Sequence, residues 1–456
     1  MMFTKPCLDT SLAASFQYYP SEYIKISAIH YTGFQHTKTW VIEKYLPIKT
    51  GDSLRIDNIF PTLESIREQV LKTRLFTEVS VKVSSWKNNH LEINITVEER
   101  WYLFPLPYFK LSDRNINQWW QDYEHDWRRT IYGINLYHNN LTGRQDKLTI
   151  SALAGFNQTF SISYETPYLT PARNIGLGFE LLQIKSHDIN FASVNNKQIF
   201  YRGTQITDNY LKGGFSVLYQ ANPYNLFTFN TGYRKETVAD AIILLNTDFF
   251  TSKTTSESLL SLGIKWTTDH RDRAIYPLNG WYASMDYHLY ATSSGSYIHQ
   301  WKAFAARYQA ITTKWSLSNE LYGRISSNSK LPYSLTQGLG YKQKLIRGYE
   351  LYVIDGRNDI LLKNSIRFEL LNFEIEKPFI ALKAFDHIPF QIYLVAFADA
   401  GYVSNKLSQQ NNSLNNTWQY STGIGIDIFS YYDFSFSCYY AINAMGEKGI
   451  YLHFNN

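Results

Sequence analysis

No run of about 18 apolar residues occurs anywhere in this 456-residue chain, which excludes a transmembrane helix. Cysteine is nearly missing: Cys7 and Cys438 lie at opposite ends, with no metal-ligand spacing and no disulfide framework. The eleven histidines are scattered and no H-E-x-x-H pattern is present, so a zinc-helix hydrolase is excluded. No G-x-S-x-G nucleophile elbow exists either. The chain is therefore read as a non-enzyme that needs no cofactor. A formal charge of +5 is modest for this length and gives no case for nucleic acid. A signal peptide is also missing, because Pro6 and Asp9 interrupt any apolar stretch in residues 1–19. For an exported protein this predicts an upstream segment beyond the first residue. What the chain does have is aromatic side chains, at 16% of residues with 36 tyrosines, against a slightly negative mean hydropathy. Transmembrane strands explain that mixture, since each carries apolar residues outward, polar residues inward and aromatics at the interfaces.

Behind a tail of residues 1–21, residues 22–100 read as one small α+β domain. A strand is predicted over residues 23–31, ending in a turn at Gly33, and a short helix over 37–46. Residues 57–72 place Ile59, Leu63, Ile66 and Val70 on one helical face. Two strands follow over 76–83 and 91–97, joined by a polar turn at Asn88-Asn89. One sheet under a helical layer can bury a core of its own.

This stretch resembles a POTRA domain, the periplasmic module of the BamA and TamA family of outer-membrane assembly proteins. The likeness rests on Ile29-His30-Tyr31-Thr32-Gly33, Gly51-Asp52, Leu75-Phe76-Thr77-Glu78-Val79 and residues 91–99. It departs at Arg74, where the family often has Gly or Asn. The resemblance implies a domain that binds unfolded client chains, or periplasmic and lipoprotein partners, by adding a strand at a sheet edge.

From Trp101 onward the period is two. Leu148, Ile150 and Ala152 oppose Thr149 and Ser151; Phe434, Phe436, Cys438 and Tyr440 oppose Ser435 and Ser437. Such alternation alone does not separate a soluble sandwich from a membrane barrel. Strand length and connection length do. Many runs reach the roughly 9 to 11 residues that cross a bilayer obliquely, whereas soluble strands average about five or six. Connections alternate between short (140–146, 169–173, 221–225) and long (112–127, 239–254, 325–359). The count of about sixteen strands over residues 101–456 predicts a transmembrane antiparallel β-barrel in contact with the lipid bilayer.

The longest loop carries Leu345-Ile346-Arg347-Gly348-Tyr349, which resembles the (V/I)RG(F/Y) signature of the same family, whose loop folds back into the barrel. A guanidinium inside a narrow lumen must find carboxylates to offset lost hydration. Period two puts Ser365, Arg367 and Glu369 on one face of a strand, and Phe397, Asp399 and Gly401 on one face of the next. The run Phe397-Ala398-Asp399-Ala400-Gly401 also resembles the family's F-x-D-x-G element, whose acid meets the loop arginine. Arg347 is expected to bridge Glu369 and Asp399 and so lock the loop inside; the alternative is three ordinary lumen charges.

The terminal run from Lys448 through Gly449 and Leu452 to Phe454 resembles the β-signal of outer-membrane proteins, with Asn455 and Asn456 following where many relatives stop. Asn139-Asn140-Leu141-Thr142-Gly143 resembles an early N-(L/F)-x-G turn of the family, and Asp269 to Arg273 with Pro277 and Gly280 its later D-x-R…P-x-x-G turn. The first and last barrel strands must pair to close the cylinder. Pro105 and Pro107 in the first lack ladder donors, so they either weaken that seam or mark a local bend.

Together these likenesses imply an outer-membrane protein of a Gram-negative bacterium, its small domain in the periplasm. It would insert, assemble or translocate unfolded outer-membrane clients through a lateral seam. The alternatives are a dedicated secretion pore of the two-partner type, an outer-membrane enzyme and a passive porin.

Overall fold

The computed structural model describes residues 23–169, 172, 174–327, 331–341, 344–376, 387–405, 412–430 and 435–455. Cys7 and the tail of residues 1–21 lie outside them, as do parts of the 169–173 turn.

Two compact units emerge. The first comprises residues up to Tyr102 together with Asn139–Asp146. Its elements are β1 (Tyr23–Thr32), α1 (Thr39–Glu43), β2 (Ser53–Arg55), α2 (Ile59–Lys72), β3 (Phe76–Lys87) and β4 (His90–Glu99). The sheet order is β2-β1-β4-β3, with β1 parallel to β4 and the other pairs antiparallel. Ile59, Leu63, Ile66 and Val70 are the buried side chains of α2, and they pack over Ile24, Ile26, Leu91, Ile93 and Ile95 of the sheet. Asn88 and Asn89 take φ of 46° and 63°, the left-handed pair that a tight hairpin between right-twisted strands needs. Arg74, just past the end of α2, also takes a positive φ of 60°. That is the helix-terminating position where Gly or Asn costs least, so the departure noted in the sequence places a branched-off Cβ where the backbone disfavours one.

The Asn139–Asp146 turn belongs to this same unit. Asn140 donates from Nδ2 to Thr37 Oγ1 at 2.8 Å, and Lys38 N–H donates to Gly143 O at 2.8 Å. Gly143 has φ +79°, and a Cβ there would stand 2.1 Å from His36 O. Tyr102 donates to Leu75 O at 3.0 Å, and burial raises its hydroxyl above the usual tyrosine range.

The second unit is a sixteen-stranded antiparallel sheet. It starts with β5 (Leu103–Leu111), β6 (Thr130–Asn139), β7 (Lys147–Gly155), β8 (Asn157–Thr166) and β9 (Ile175–Ser186). A separate hairpin of β10 (Asp188–Val194) and β11 (Lys197–Arg202) intervenes. The sheet resumes with β12 (Asp208–Gln220), β13 (Asn225–Val238), β14 (Ser256–Asp269), β15 (Gly280–Thr292), β16 (Tyr297–Ala310) and β17 (Trp315–Ser326). It ends with β18 (Asn358–Glu376), β19 (His387–Ser404), β20 (Trp418–Phe429), β21 (Ser435–Asn443) and β22 (Lys448–Asn455). Two short helices sit in long connections, α3 (Ile116–Gln121) after β5 and α4 (Asp240–Leu245) after β13. The outermost strands of the sheet are β5 and β22.

The burial pattern is inside out. On β17, Ser316, Ser318, Arg324 and Ser326 are buried while Leu321 and Ile325 are exposed. On β19, Tyr393, Val395, Phe397 and Asp399 are buried and Leu394 is exposed. A polar interior behind an apolar exterior is the signature of a barrel that faces hydrocarbon. One irregularity is placed with care: the β18–β19 register shifts between Glu369 and Leu371, so that Leu370 and Leu371 are both exposed.

Candidate functional site

The segment between β17 and β18 folds over the inner face of β18 to β21. Leu339, Ile346, Tyr349 and Ile354 of that segment cluster with Leu361 and Val403. A bridge between Leu339 and Ile354 closes its base.

Arg347 is the polar centre of this cluster. Its Nη2 donates to Asp399 Oδ1 at 2.6 Å and its Nε to Asp399 Oδ2 at 2.8 Å, a two-pronged pairing. The Asp399 side chain is 0% exposed, so each charge depends on the other for compensation. Nη1 donates to Ser365 Oγ at 3.0 Å, and the guanidinium carbon lies 3.9 Å from the Phe397 ring centroid. Backbone N–H of Arg347 also donates to Asp399 Oδ2 at 3.2 Å.

Glu369 does not join them. It stands opposite Tyr393 on β19, whereas Asp399 stands opposite Lys363. At about 3.3 Å per residue the two acids are separated by roughly 20 Å along the wall. Glu369 instead accepts from the Tyr393 hydroxyl at 3.2 Å. The expected bridge to two carboxylates is thus corrected to a single one. Strand periodicity assigns a face, and both acids do face inward; it carries no information about height.

The neighbours of Arg347 explain the rest of the triplet. Gly348 has φ +90°, and a Cβ there would lie 3.2 Å from Ala441 Cβ. Its carbonyl accepts from Asn443 Nδ2 at 2.9 Å. The Tyr349 hydroxyl donates to Tyr420 O at 3.3 Å and accepts from Ala444 N–H at 3.3 Å. At Gly401 a Cβ would fall 2.4 Å from Ile346 Cδ1, so this glycine clears the seat for the loop.

Sequence reasoning missed Glu350. Its side chain is 0% exposed, accepts from Gly348 N–H at 2.8 Å and meets His453 Nε2 at 3.1 Å. The loop is thereby tied to the last strand as well as to β19. A lone acid directly after Arg-Gly-Tyr was the only available signal. The turn around Tyr276 was read only as a turn, yet its hydroxyl donates to Asp427 Oδ2 at 3.0 Å, and Arg367 Nη1 donates to Pro277 O at 3.1 Å.

In the terminal strand Gly449 stands opposite Ala441, Leu452 opposite Cys438 and Phe454 opposite Phe436. Ile450 is exposed and Tyr451 buried, so the inside-out alternation continues into this strand. Pro105 and Pro107 face Leu136 and Ile134 on β6. An outermost strand is where a sheet tolerates proline.

Residues 140–367 match the Omp85 superfamily domain, half of the chain, and residues 24–100 match the surface antigen variable number repeat, which is the POTRA module. No curated protein sequence matches. Among solved structures, BamA from Haemophilus ducreyi lacking POTRA domains 1–3 is 14% identical and covers 94% of this chain and 83% of its own, with a TM-score of 0.59. CdiB from Acinetobacter baumannii is 11% identical over 95% of this chain and 73% of its own, with a TM-score of 0.54. CdiB from Escherichia coli is 13% identical over 94% and 75%, with a TM-score of 0.54. Likeness at such identities is likeness of fold. With the family match across the barrel and the small domain, it establishes that the chain belongs to the Omp85 superfamily, as a Gram-negative outer-membrane β-barrel preceded by one POTRA domain.

Proposed function

We propose that this protein assists the insertion or assembly of other outer-membrane proteins by offering the seam between β5 and β22 to an extended client segment. Members of the superfamily are generally transporters or assembly factors rather than enzymes, and they act on client proteins. One observation carries the finer reading. At Ile450 and Leu452 the outward backbone groups of β22 are met by a side chain, not by a strand. Those groups can therefore be handed to an incoming strand without breaking a ladder at that point. Prolines at positions 105 and 107 of β5 reduce the donors available for closure.

The POTRA domain supports the same reading. Its sheet ends on β3, a strand of 12 residues that can accept an added strand from a client or a periplasmic or lipoprotein partner. Lock-down of the inner loop by Arg347, Asp399 and Glu350 would keep the resting barrel shut across its lumen.

The test is a cysteine pair across β5 and β22, in a Cys7→Ser, Cys438→Ser background, reconstituted with unfolded outer-membrane clients. Oxidation should abolish client folding and reduction should restore it. Client folding that persists with the pair oxidised overturns the seam. A dedicated secretion pore is the alternative: there the sealed barrel would still pass its one partner, and anchoring the Arg347 loop would be what stops it.

A further inference from the structure

At Ile450 and Leu452 the outer edge of β22 is covered by a carboxamide. Asn117 Nδ2 donates to Ile450 O at 2.7 Å, and Leu452 N–H donates to Asn117 Oδ1 at 3.0 Å. A carbonyl and the N–H two residues later point to the same side of a strand, and they are the pair a neighbouring strand would engage. A primary amide offers one acceptor and one donor in a plane, as a peptide unit does. Asn117 therefore stands in for part of a neighbouring strand at this edge.

Its carrier is built to hold it there. Asn115 caps α3 by accepting from Gln118 N–H at 2.8 Å, and its Nδ2 donates to Glu350 O at 2.8 Å. Arg114 donates to the carbonyls of Gly340 and Tyr352, the latter at 3.0 Å. Trp119 is buried, its indole N–H donating to Asp126 O at 3.1 Å and its ring 5.1 Å from that of Trp127. Below it, Arg129 and Asp113 form a pair closed at 2.7 Å with both side chains almost wholly buried. The three carbonyls that Arg114 and the Asn115 amide reach fall on the loop that carries Arg347, on both sides of the Arg-Gly-Tyr run. The helix that covers the edge of β22 is thus fastened to the element that Asp399 holds.

We infer that Asn117 is a latch on the seam: it holds the edge of the last strand in the resting barrel, and it leaves that edge when the Arg347 loop shifts. This rests on the seam reading above and names its regulation. An incoming strand must displace only two hydrogen bonds, made by a partly exposed side chain on a helix of 6 residues. Loss of the Arg347–Asp399 pairing would free the anchors of Arg114 and Asn115, and the amide would go with them.

The experiment uses the full chain in lipid nanodiscs. Two quantities are read: hydrogen exchange of the amides in β22, and capture of a synthetic peptide with the sequence of residues 448–456. Asn117→Ala should speed exchange at Leu452 by about tenfold or more and raise peptide capture several-fold, because protection tracks the local opening equilibrium. Arg347→Ala, with Asn117 intact, should speed exchange at the same amide. Unchanged exchange and capture in a folded Asn117→Ala barrel overturn the latch. Faster exchange without added capture keeps the latch and sinks the seam reading, so the two failures are separable. If Asn117→Ala does not fold, Asn117→Asp is read instead. It keeps the acceptor for Leu452 and loses the donor to Ile450, so it should capture more peptide than the unaltered chain; equal capture overturns the proposal. A folded Arg347→Ala barrel with Leu452 still protected removes the coupling to the loop.

Discussion

Arg347 and Asp399 lie 52 residues apart in the chain, yet each oxygen of the carboxylate receives its own N–H from the guanidinium. Breaking one half of such a buried pair leaves an uncompensated charge. Arg347→Ala should therefore cost about 3–5 kcal/mol of barrel stability, read as a lower unfolding midpoint in denaturant. Exchanging the two charges, Arg347→Asp with Asp399→Arg, should recover part of that loss. A single substitution without effect would reduce the pairing to an ordinary lumen contact.

Glu369 provides the control. Its carboxylate accepts from the Tyr393 hydroxyl, and Gln keeps an acceptor there. Glu369→Gln should shift stability by less than about 1 kcal/mol, the scale of one ordinary hydrogen bond. A loss equal to that of Arg347→Ala would reinstate the two-carboxylate bridge.

Gly401 tests how the loop is seated. Gly401→Val drives a side chain into Ile346, whose Cδ1 is 2.4 Å from the position of the added Cβ. The expected cost is about 1–3 kcal/mol, and it should shrink when Ile346→Ala is added, since the second change removes what the first strikes. Measured separately and together, the pair should fail additivity.

Arg74 offers a gain. Its φ of 60° strains any residue with a Cβ, and Arg74→Gly or Arg74→Asn should stabilise the POTRA domain by about 1 kcal/mol. Thermal unfolding followed at Trp86, within that domain, would show it. An unchanged midpoint would mean that the strain is absent.

Legibility in the sequence follows the physics of each feature. The buried face of α2 and the inward side of β19 are periodic, and a period can be read from side chains alone. Glu369 shows where that stops: its direction is encoded in alternation, but its height depends on register and on which part of the long loop arrives. Glu350 and Asn117 lay beyond reach for a different reason. Each acts on a backbone group or a histidine brought near by folding, and α3 is too short for its apolar positions to form a pattern. Arg74 was visible as a departure; its meaning needed a dihedral angle.

The irregularity at Leu370 fixes an integer. Ahead of it Ile366 and Phe368 point outward, and beyond it Leu371, Phe373 and Ile375 do so, although even positions have given way to odd. Excise that one leucine and the alternation runs unbroken, with Leu371, Phe373 and Ile375 still outward and only the local kink lost. Excise a paired residue beyond it, such as Asn372, and Phe373 and Ile375 would swing toward water inside, and Glu374 toward oil outside. Past the kink the chain tolerates exchange of one greasy side chain for another far better than the loss of a single link.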